Sequence, residues 1–134
     1  MGVENIPSSI DIAVSGLKAQ AMRMNVIATN IANAGTTRTG AGTPYRRQDV
    51  VLRTSGGIDG VVIAKVAEDK KTDFKRVLEP GHPDADAQGY VMMPNVDLPI
   101  EMMHLVLASR AYQANTAVMK RYQEAVDLTM ELLR

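Results

Sequence analysis

One long helical stretch at the end of the chain, residues 99–134, constrains the fold more than any other part of this 134-residue sequence. After its opening proline nothing in it breaks a helix, and two columns of side chains repeat every seven residues. The first column is apolar throughout: Leu105, Tyr112, Met119, Val126 and Leu133. The second is apolar only at its ends: Met102, Ser109, Thr116, Gln123 and Met130. Alternating steps of three and four residues are typical of a coiled-coil seam.

The length of this helix decides how its apolar stripe can be covered. At about 1.5 Å of rise per residue it would be about 50 Å long. A compact domain of this size has a radius of gyration of about 14 Å. The stripe must therefore pack against another long helix of this chain or against other chains.

The N-terminal residues predict a second long helix with the same period. Ser8 is the expected N-cap, and Asp11 at the third helical position completes a capping box. The helix is expected to end near Asn33, with Gly35 in the left-handed conformation that closes many helices. Its seam steps by four and three through Ile10, Val14, Leu17, Ala21, Met24, Ala28 and Ile31.

The middle of the chain predicts a loop followed by a small, mostly antiparallel β element of three or four strands. The strand-like segments are 45–53, 60–67, 74–79 and 90–93, with a charged hairpin tip at 68–73. A sheet of this size needs a helix or a partner against one face. We therefore expect an α+β fold in three segments: an N-terminal helix (1–35), a loop with the β element (36–97) and a C-terminal helix (98–134). The two long helices are expected to pair as a coiled-coil-like core, with the β element inserted between them.

Composition narrows the classes of function. The 15 basic and 15 acidic residues, with only four Tyr and one Phe, give no basic face with aromatics for nucleic acid. The absence of cysteine excludes disulfides, thiol nucleophiles and thiolate zinc sites. No apolar run approaches the length of about 20 residues that spans a bilayer. The N-terminus does not read as a signal peptide, so the general secretory rules place the chain in the cytoplasm.

The motifs for chemistry are few and weak. Residues 84–89 resemble the start of a calcium loop, but Asn95 stands where the bidentate Glu is needed, so a turn is the better interpretation. His82 with Asp84 and Asp86 is the only plausible surface metal site. No nucleophile elbow, phosphate loop or dinucleotide motif occurs, so we expect neither an enzyme nor a cofactor.

Three asparagines lie in or at the ends of the predicted helices, where Asn is a poor helix former. They are Asn30, Asn33 and Asn115. Their amides either bond across an interface, cap a helix end, or are tolerated surface residues. The sequence leaves these interpretations open.

Several motifs, in the right order along nearly the whole chain, resemble the bacterial flagellar rod and hook proteins. Ser15-Gly-Leu17 and Asn30-Ile-Ala-Asn33 are similar to the family's N-terminal signature, and residues 108–115 to its C-terminal helix motif. Within the family, Pro44-Tyr-Arg-Arg47, residues 81–97 and the short middle are most similar to a proximal-rod subunit. Leu98-Pro99 departs from the family pattern at the start of the C-terminal helix.

This resemblance implies a structural protein of bacterial motility without catalysis. The terminal helices would form an axial core, and subunits would stack helically into the drive shaft between membrane ring and hook. Implied partners are other rod subunits, the membrane-ring adaptor, further copies of the chain and the flagellar type III export apparatus. Export without a cleaved signal would place the subunit in the periplasmic rod of the basal body.

The residues expected to bind partners combine the seam positions with the three asparagines. They are Ile10, Val14, Leu17, Met24, Asn30, Ile31, Asn33, Met102, Leu105, Tyr112, Asn115, Met119, Val126, Met130 and Leu133. Two other hypotheses stay open on the residues alone. One is a small coiled-coil adaptor that forms a closed dimer, and the other is a metal-dependent enzyme or sensor at His82, Asp84 and Asp86.

Overall fold

The computed structural model describes residues 9–56 and 60–133, and it confirms the α+β class. Two long helices stand at the ends of the described chain, and four short strands lie between them. In chain order the elements are α1 (Ser9–Ala32), β1 (Gln48–Thr54), β2 (Val61–Glu68), β3 (Lys75–Leu78), β4 (Tyr90–Met93) and α2 (Leu98–Leu132). The predicted N-cap Ser8 lies outside the described residues.

The C-terminal end of α1 is closed by an asparagine and not by a glycine. Gly35 does not adopt positive φ, so the prediction of a left-handed cap there was wrong. The backbone N–H and the side-chain Nδ2 of Asn33 both donate to the carbonyl of Thr29, at 3.1 and 2.9 Å. A turn follows, in which the Thr36 N–H donates to the Asn33 carbonyl at 3.0 Å. These bonds satisfy the helix end without a left-handed residue.

The start of α2 is a regular N-terminus. Asp97 is the N-cap, with extended backbone, and its side chain accepts a bond from the Ile100 N–H at 3.4 Å. Pro99 stands in the first turn, where a missing N–H costs nothing. Lys75 of β3 donates to the carbonyl of Val96 at 3.0 Å, which ties this helix start to the second sheet.

The two helices run antiparallel along each other. Near the start of α2, Asn30 contacts Glu101, and halfway along, Gly16 faces Asn115. Ile10 shares a depression with residues 122–127. The last turns of α2 therefore extend beyond the described part of α1. Among the described residues, no helix combines the length and apolarity needed to cross a membrane.

The four strands form two separate two-stranded antiparallel sheets. In the first, β1 pairs with β2, with Val50 opposite Val66 and an irregularity after Val51. In the second, β3 pairs with β4, with Val77 opposite Val91. The predicted small antiparallel β element is therefore confirmed as two sheets, whereas the predicted hairpin tip at 68–73 was wrong, since β2 and β3 do not pair. The carbonyls of Asp69 and Thr72 accept instead from Arg46 and Asn95.

The core is small and is centred on α1, which lies against both α2 and the first sheet. The buried apolar residues are Ala13, Ala19, Val26, Ile27, Val50, Val91, Val96 and Ala108. Only Glu101 and Ala108 are buried among the 35 residues of α2. Most of α2 is therefore left exposed by the fold of the single chain.

Candidate functional site

A buried polar junction joins α1, β1 and α2, and Asn30 is at its centre. This asparagine is 0% exposed. Its Nδ2 donates to the Gln48 carbonyl at 2.8 Å and to Glu101 Oε2 at 3.1 Å. Its Oδ1 accepts from the Tyr45 hydroxyl and from the Gln48 N–H, both at 2.9 Å. All four hydrogen-bonding positions of the amide are used, which is what burial of such a group requires.

Glu101, also 0% exposed, is the acidic half of the junction. Its Oε1 accepts from Arg47 Nε at 2.6 Å, and Arg47 Nη1 lies 3.5 Å from Asp49 Oδ2. Burial alone lowers the pKa of the Arg47 guanidinium, but its bond to Glu101 and the nearby carboxylates raise that pKa overall. Burial, followed by the charges of Glu101 and Glu68, raises the pKa of the Tyr45 phenol. The junction therefore stabilises a charged arginine and a neutral tyrosine.

Asn95 extends the junction to the segment before α2. Its Oδ1 accepts from the Arg47 N–H at 2.8 Å, and its Nδ2 donates to the carbonyls of Asp69 and Thr72, both at 3.1 Å. Arg46 donates to the same two carbonyls and lies 4.2 Å from the centroid of the Phe74 ring. One buried amide thus holds the loop after β2 and the start of α2 against β1.

Away from the junction, small and polar residues form the interface between the helices. A side chain at position 16 would approach Asn115 Nδ2 at 2.8 Å, so glycine is needed for this helix spacing. Between Gly16 and the junction lies a cleft of about 390 Å³, lined by Gln20, Ala108 and Ala111 among others. The buried Gln20 Oε1 has no hydrogen-bond partner within the described residues. This part of the helix pair is loosely packed.

A second close approach fixes the first sheet on α1. The Ser15 hydroxyl donates to the Ile12 carbonyl at 2.7 Å and accepts from the Val61 N–H at 3.1 Å. Gly60 has φ +86°, and a side chain there would collide with Ser15. Ser15, part of the quoted N-terminal motif, therefore anchors the start of β2.

The outward surface of α2 is an unusual feature for a single folded chain. Large apolar side chains between 38% and 86% exposed occur along the whole helix: Leu98, Ile100, Met102, Met103, Val106, Leu107, Tyr112, Val118, Tyr122, Val126, Leu128, Met130 and Leu132. Monomeric proteins rarely expose apolar surface this continuously unless it binds a partner. We call this set the α2 apolar surface.

The predicted partner-binding residues differ in how far the single chain buries them. Half-buried positions are Ile10, Val14, Leu17, Met24, Ile31, Asn33, Leu105, Asn115 and Met119. Exposed positions are Met102, Tyr112, Val126, Met130 and Leu133. Asn30 is enclosed within the chain.

The face of α1 that meets α2 is not the predicted seam. It carries Gly16, Ile27 and Asn30, one residue before Leu17, Ala28 and Ile31. One residue corresponds to a rotation of about 100° around the helix. The predicted seam of α1 therefore lies on the flank of the helix pair, beside the intramolecular interface.

The loop residues considered for metal binding are engaged elsewhere. The Asp84 N–H donates to His82 Nδ1 at 3.0 Å, and the Asp84 carboxylate accepts from Thr37 at 2.7 Å. Asp86 accepts from the N–H groups of Gln88 and Tyr90, both at 2.9 Å, which is the predicted turn. The Tyr90 N–H bond in particular lowers the pKa of Asp86. Within the described ranges no three potential ligands form a metal-binding group.

Sequence reasoning missed the residues that hold the site together. Glu101, Arg47, Asn95 and Tyr45 were placed in a helix, a strand or a loop and given no role. Charged and amide side chains are mostly exposed, so periodicity assigns them to the solvent side. The available signal was a single Glu in the first turn of an otherwise apolar helix start.

Comparison with known proteins matches each of the two helices to a family model. A family model described as "Flagella basal body rod protein" matches residues 10–38, and another, "Flagellar basal body rod FlgEFG protein C-terminal", matches residues 87–132. These matches include α1 with Asn30 and α2 with Glu101.

Curated relatives cover most of the chain. The flagellar basal-body rod protein FlgC of Escherichia coli O157:H7 is 44% identical over 126 residues, 91% of this chain and 93% of the relative. FlgC of Bacillus subtilis is 39% identical over 131 residues, 83% and 87% of the two chains. FlgC of Agrobacterium fabrum is 36% identical over 137 residues, 98% of each.

Proposed function

This chain belongs to the flagellar basal body rod protein family, together with its FlgC relatives, and on that premise we propose how it builds the rod. It is a structural subunit of the basal-body rod. We propose that it stacks helically in the proximal rod through the outward faces of α1 and α2. The segments 1–35 and 98–134 then form the axial core, and 36–97 forms the outer element.

The observation that supports this proposal is the α2 apolar surface. Complete burial of one Leu, Val or Met side chain contributes about 1.5–3 kcal/mol. Covering several of them offsets the loss of translational and rotational freedom on association, about 4–15 kcal/mol. Exposed apolar side chains along the whole of α2, on a molecule with no net charge, suit contacts between many copies without long-range repulsion.

The geometry of such contacts favours a filament over a closed particle. The half-buried seam of α1 and the α2 apolar surface are different surfaces of one molecule. When one surface of a copy binds a different surface of the next, the assembly stays open unless the rotation happens to close a ring. The partner-binding residues predicted from the sequence are proposed to make these contacts, apart from Asn30, which is enclosed in the single chain.

The proposed partners follow from the family. We propose contacts with copies of this chain, with the other proximal-rod subunits, with the membrane-ring adaptor and with the next rod subunit outward. We also propose a periplasmic position, reached through the flagellar type III export apparatus without a cleaved signal. The family is structural, and the role we propose for this chain includes no catalysis.

A charge placed on the α2 apolar surface tests the proposal. Val118 is 51% exposed, so Val118→Asp is expected to leave the helix content of the purified protein unchanged. In a motile strain lacking its own copy of the gene, the variant is expected to give no rod and no swimming, because a carboxylate would be buried at a subunit contact. Swimming-plate diameter and electron microscopy of isolated basal bodies measure this.

The matched control is Lys71→Asp, a charge reversal at an exposed position in the turn before β3. It is expected to support normal swimming. Normal basal bodies with Val118→Asp would refute the assigned surface.

A further inference from the structure

The hydrogen bonds of the polar junction can form only at one relative position of the two helices. Asn30 on α1 reaches Glu101 on α2, and the same asparagine is bonded to Gln48 of β1. If α2 moved by one turn along α1, the Asn30 amide and the Glu101 carboxylate would both lose a partner inside the protein. Buried polar groups without partners are strongly unfavourable.

Apart from the close approach of Gly16 to Asn115, the rest of the helix interface distinguishes one register from another only weakly. Its contacts are made by Gly16, Ala108, Ala111 and the loosely packed cleft around Gln20. Only Glu101 and Ala108 of α2 are buried, so few side chains of this helix would lose packing if α1 were shifted. Small residues and sparse packing therefore allow several positions of α1 along α2.

Asn95 also restricts the position of α2 relative to α1 and β1, because it fixes the segment immediately before α2. It is 5% exposed, and its amide bonds the backbone of Arg47 and the loop after β2. Two buried asparagines and one buried ion pair therefore connect the start of α2 to α1 and β1.

From these contacts we infer that the Asn30–Glu101 pair is the element that sets the register of α1 against α2, and so determines how the outward faces of the two helices are aligned along the subunit. A single buried asparagine fixes strand register in coiled coils at some cost in stability. Here Glu101 and Arg47 supply the charged partner that makes the pairing specific. The inference refines the proposed function, because subunit contacts need those faces in fixed positions.

Disulfide trapping in the purified full chain tests the inference, since the protein contains no cysteine of its own. One reporter places cysteines at Gly16 and Asn115, which face each other. Two further reporters combine Gly16→Cys with Tyr112→Cys or with Met119→Cys, one turn to either side. These two also carry Asn115→Ala, which removes the close contact at position 16. The rate of disulfide formation under mild oxidation is measured for each.

With the native junction, the 16–115 disulfide is expected to form at least about tenfold faster than the other two, the ratio that a difference of about 1.4 kcal/mol between registers would give. In Asn30→Leu/Glu101→Leu, which replaces both partners with apolar groups, the three rates are expected to come within about threefold. Helix content by circular dichroism is expected to remain. Native selectivity in a folded double variant would overturn the inference.

A milder variant decides the matter if the double variant does not fold. Asn30→Ala keeps the Arg47–Glu101 ion pair and is expected to reduce the selectivity partway, whereas unchanged selectivity would overturn the inference. Ala32→Leu/Arg110→Leu, at two exposed positions of α1 and α2 outside the junction, is the matched control and should keep the native ratio. Because trapping is done on the isolated protein, its outcome is independent of the swimming test, and either result can fail alone.

Discussion

Individual buried polar side chains, more than apolar ones, give this small protein its defined shape. The most enclosed residues include Asn30 and Glu101 beside Val91 and Pro94. Hydrogen bonds inside a protein are worth little in net terms, but an unpaired buried group is costly. The junction therefore penalises alternatives to the native arrangement more than it stabilises that arrangement.

Removing one partner of the junction should be among the most damaging single substitutions. Glu101→Ala leaves Arg47, whose side chain is 18% exposed, without its closest carboxylate, and leaves one N–H of Asn30 unpaired. We expect a loss of about 3 kcal/mol in the free energy of unfolding. Urea unfolding followed by circular dichroism measures it. Glu124→Ala, at an exposed position of the same helix, should change stability by no more than about 0.5 kcal/mol.

The raised pKa of Tyr45 predicts an alkaline dependence of stability. Burial first, then Glu101 and Glu68, make the folded protein hold the phenol proton more tightly than the unfolded chain does. The resulting stabilisation is complete below the ordinary pKa of about 10 and is lost as the pH rises through the folded pKa. The stability difference between the native protein and Tyr45→Phe should therefore narrow as the pH rises above about 10. Tyr122→Phe, an exposed tyrosine, should show no such narrowing.

Two glycines with different backbones form a matched pair. Gly60→Ala introduces a side chain at φ +86° and against Ser15, and is expected to destabilise the protein by about 2 kcal/mol. Gly35→Ala should be nearly neutral or slightly stabilising, because φ there is not positive and nothing lies within 4 Å. Thermal unfolding distinguishes them, and equal effects would contradict the assigned backbone conformations.

The helices, the strands and the pairing of the two helices were predictable from the sequence, but the partner of each strand was not. The 90–93 strand and the start of α2 near residue 98 follow from local signals, a short extended run and Asp97-Leu-Pro99. The pairing of β2 with β3 failed because Arg46 and Asn95 bind the carbonyls of the turn between them. No periodicity reports such a contact between distant residues.

The seam of α1 shows a second limit of pattern reasoning. This helix packs against both α2 and the first sheet. Its apolar residues are therefore divided between these two interfaces and a half-buried flank beside the helix pair. Asn30 and Gly16 occupy interface positions that an apolar count skips. The junction itself could not be predicted, since it depends on bringing residues 30, 47, 95 and 101 together.

The two ends of α2 should differ in local stability. The first three turns are held by Asp97, Glu101 and Ala108, whereas residues 120–133 are all exposed. Hydrogen exchange of the isolated protein should show protected amides at 104–111 and fast exchange at 124–132. Uniform protection along α2 would mean that the distal turns have a partner within the chain.

For the molecule as a whole, the exposed apolar area predicts open-ended association. The average mass of the purified protein in sedimentation experiments should rise continuously with concentration, as expected for contacts that do not close. A closed adaptor would stop at a dimer whose mass does not change with further protein. Val118→Asp should lower the average mass at every concentration, whereas Lys71→Asp should not.

The exposed length of α2 has a consequence for cells that make this protein. With so many exposed apolar side chains, the free subunit is expected to aggregate in the cell, so surplus copies should precipitate instead of accumulating. Its supply must then keep pace with its consumption by the growing structure. Overproduction without the other rod components is expected to yield inclusion bodies. The exposed apolar side chains of α2 would therefore require the cell to match synthesis of the subunit to rod assembly.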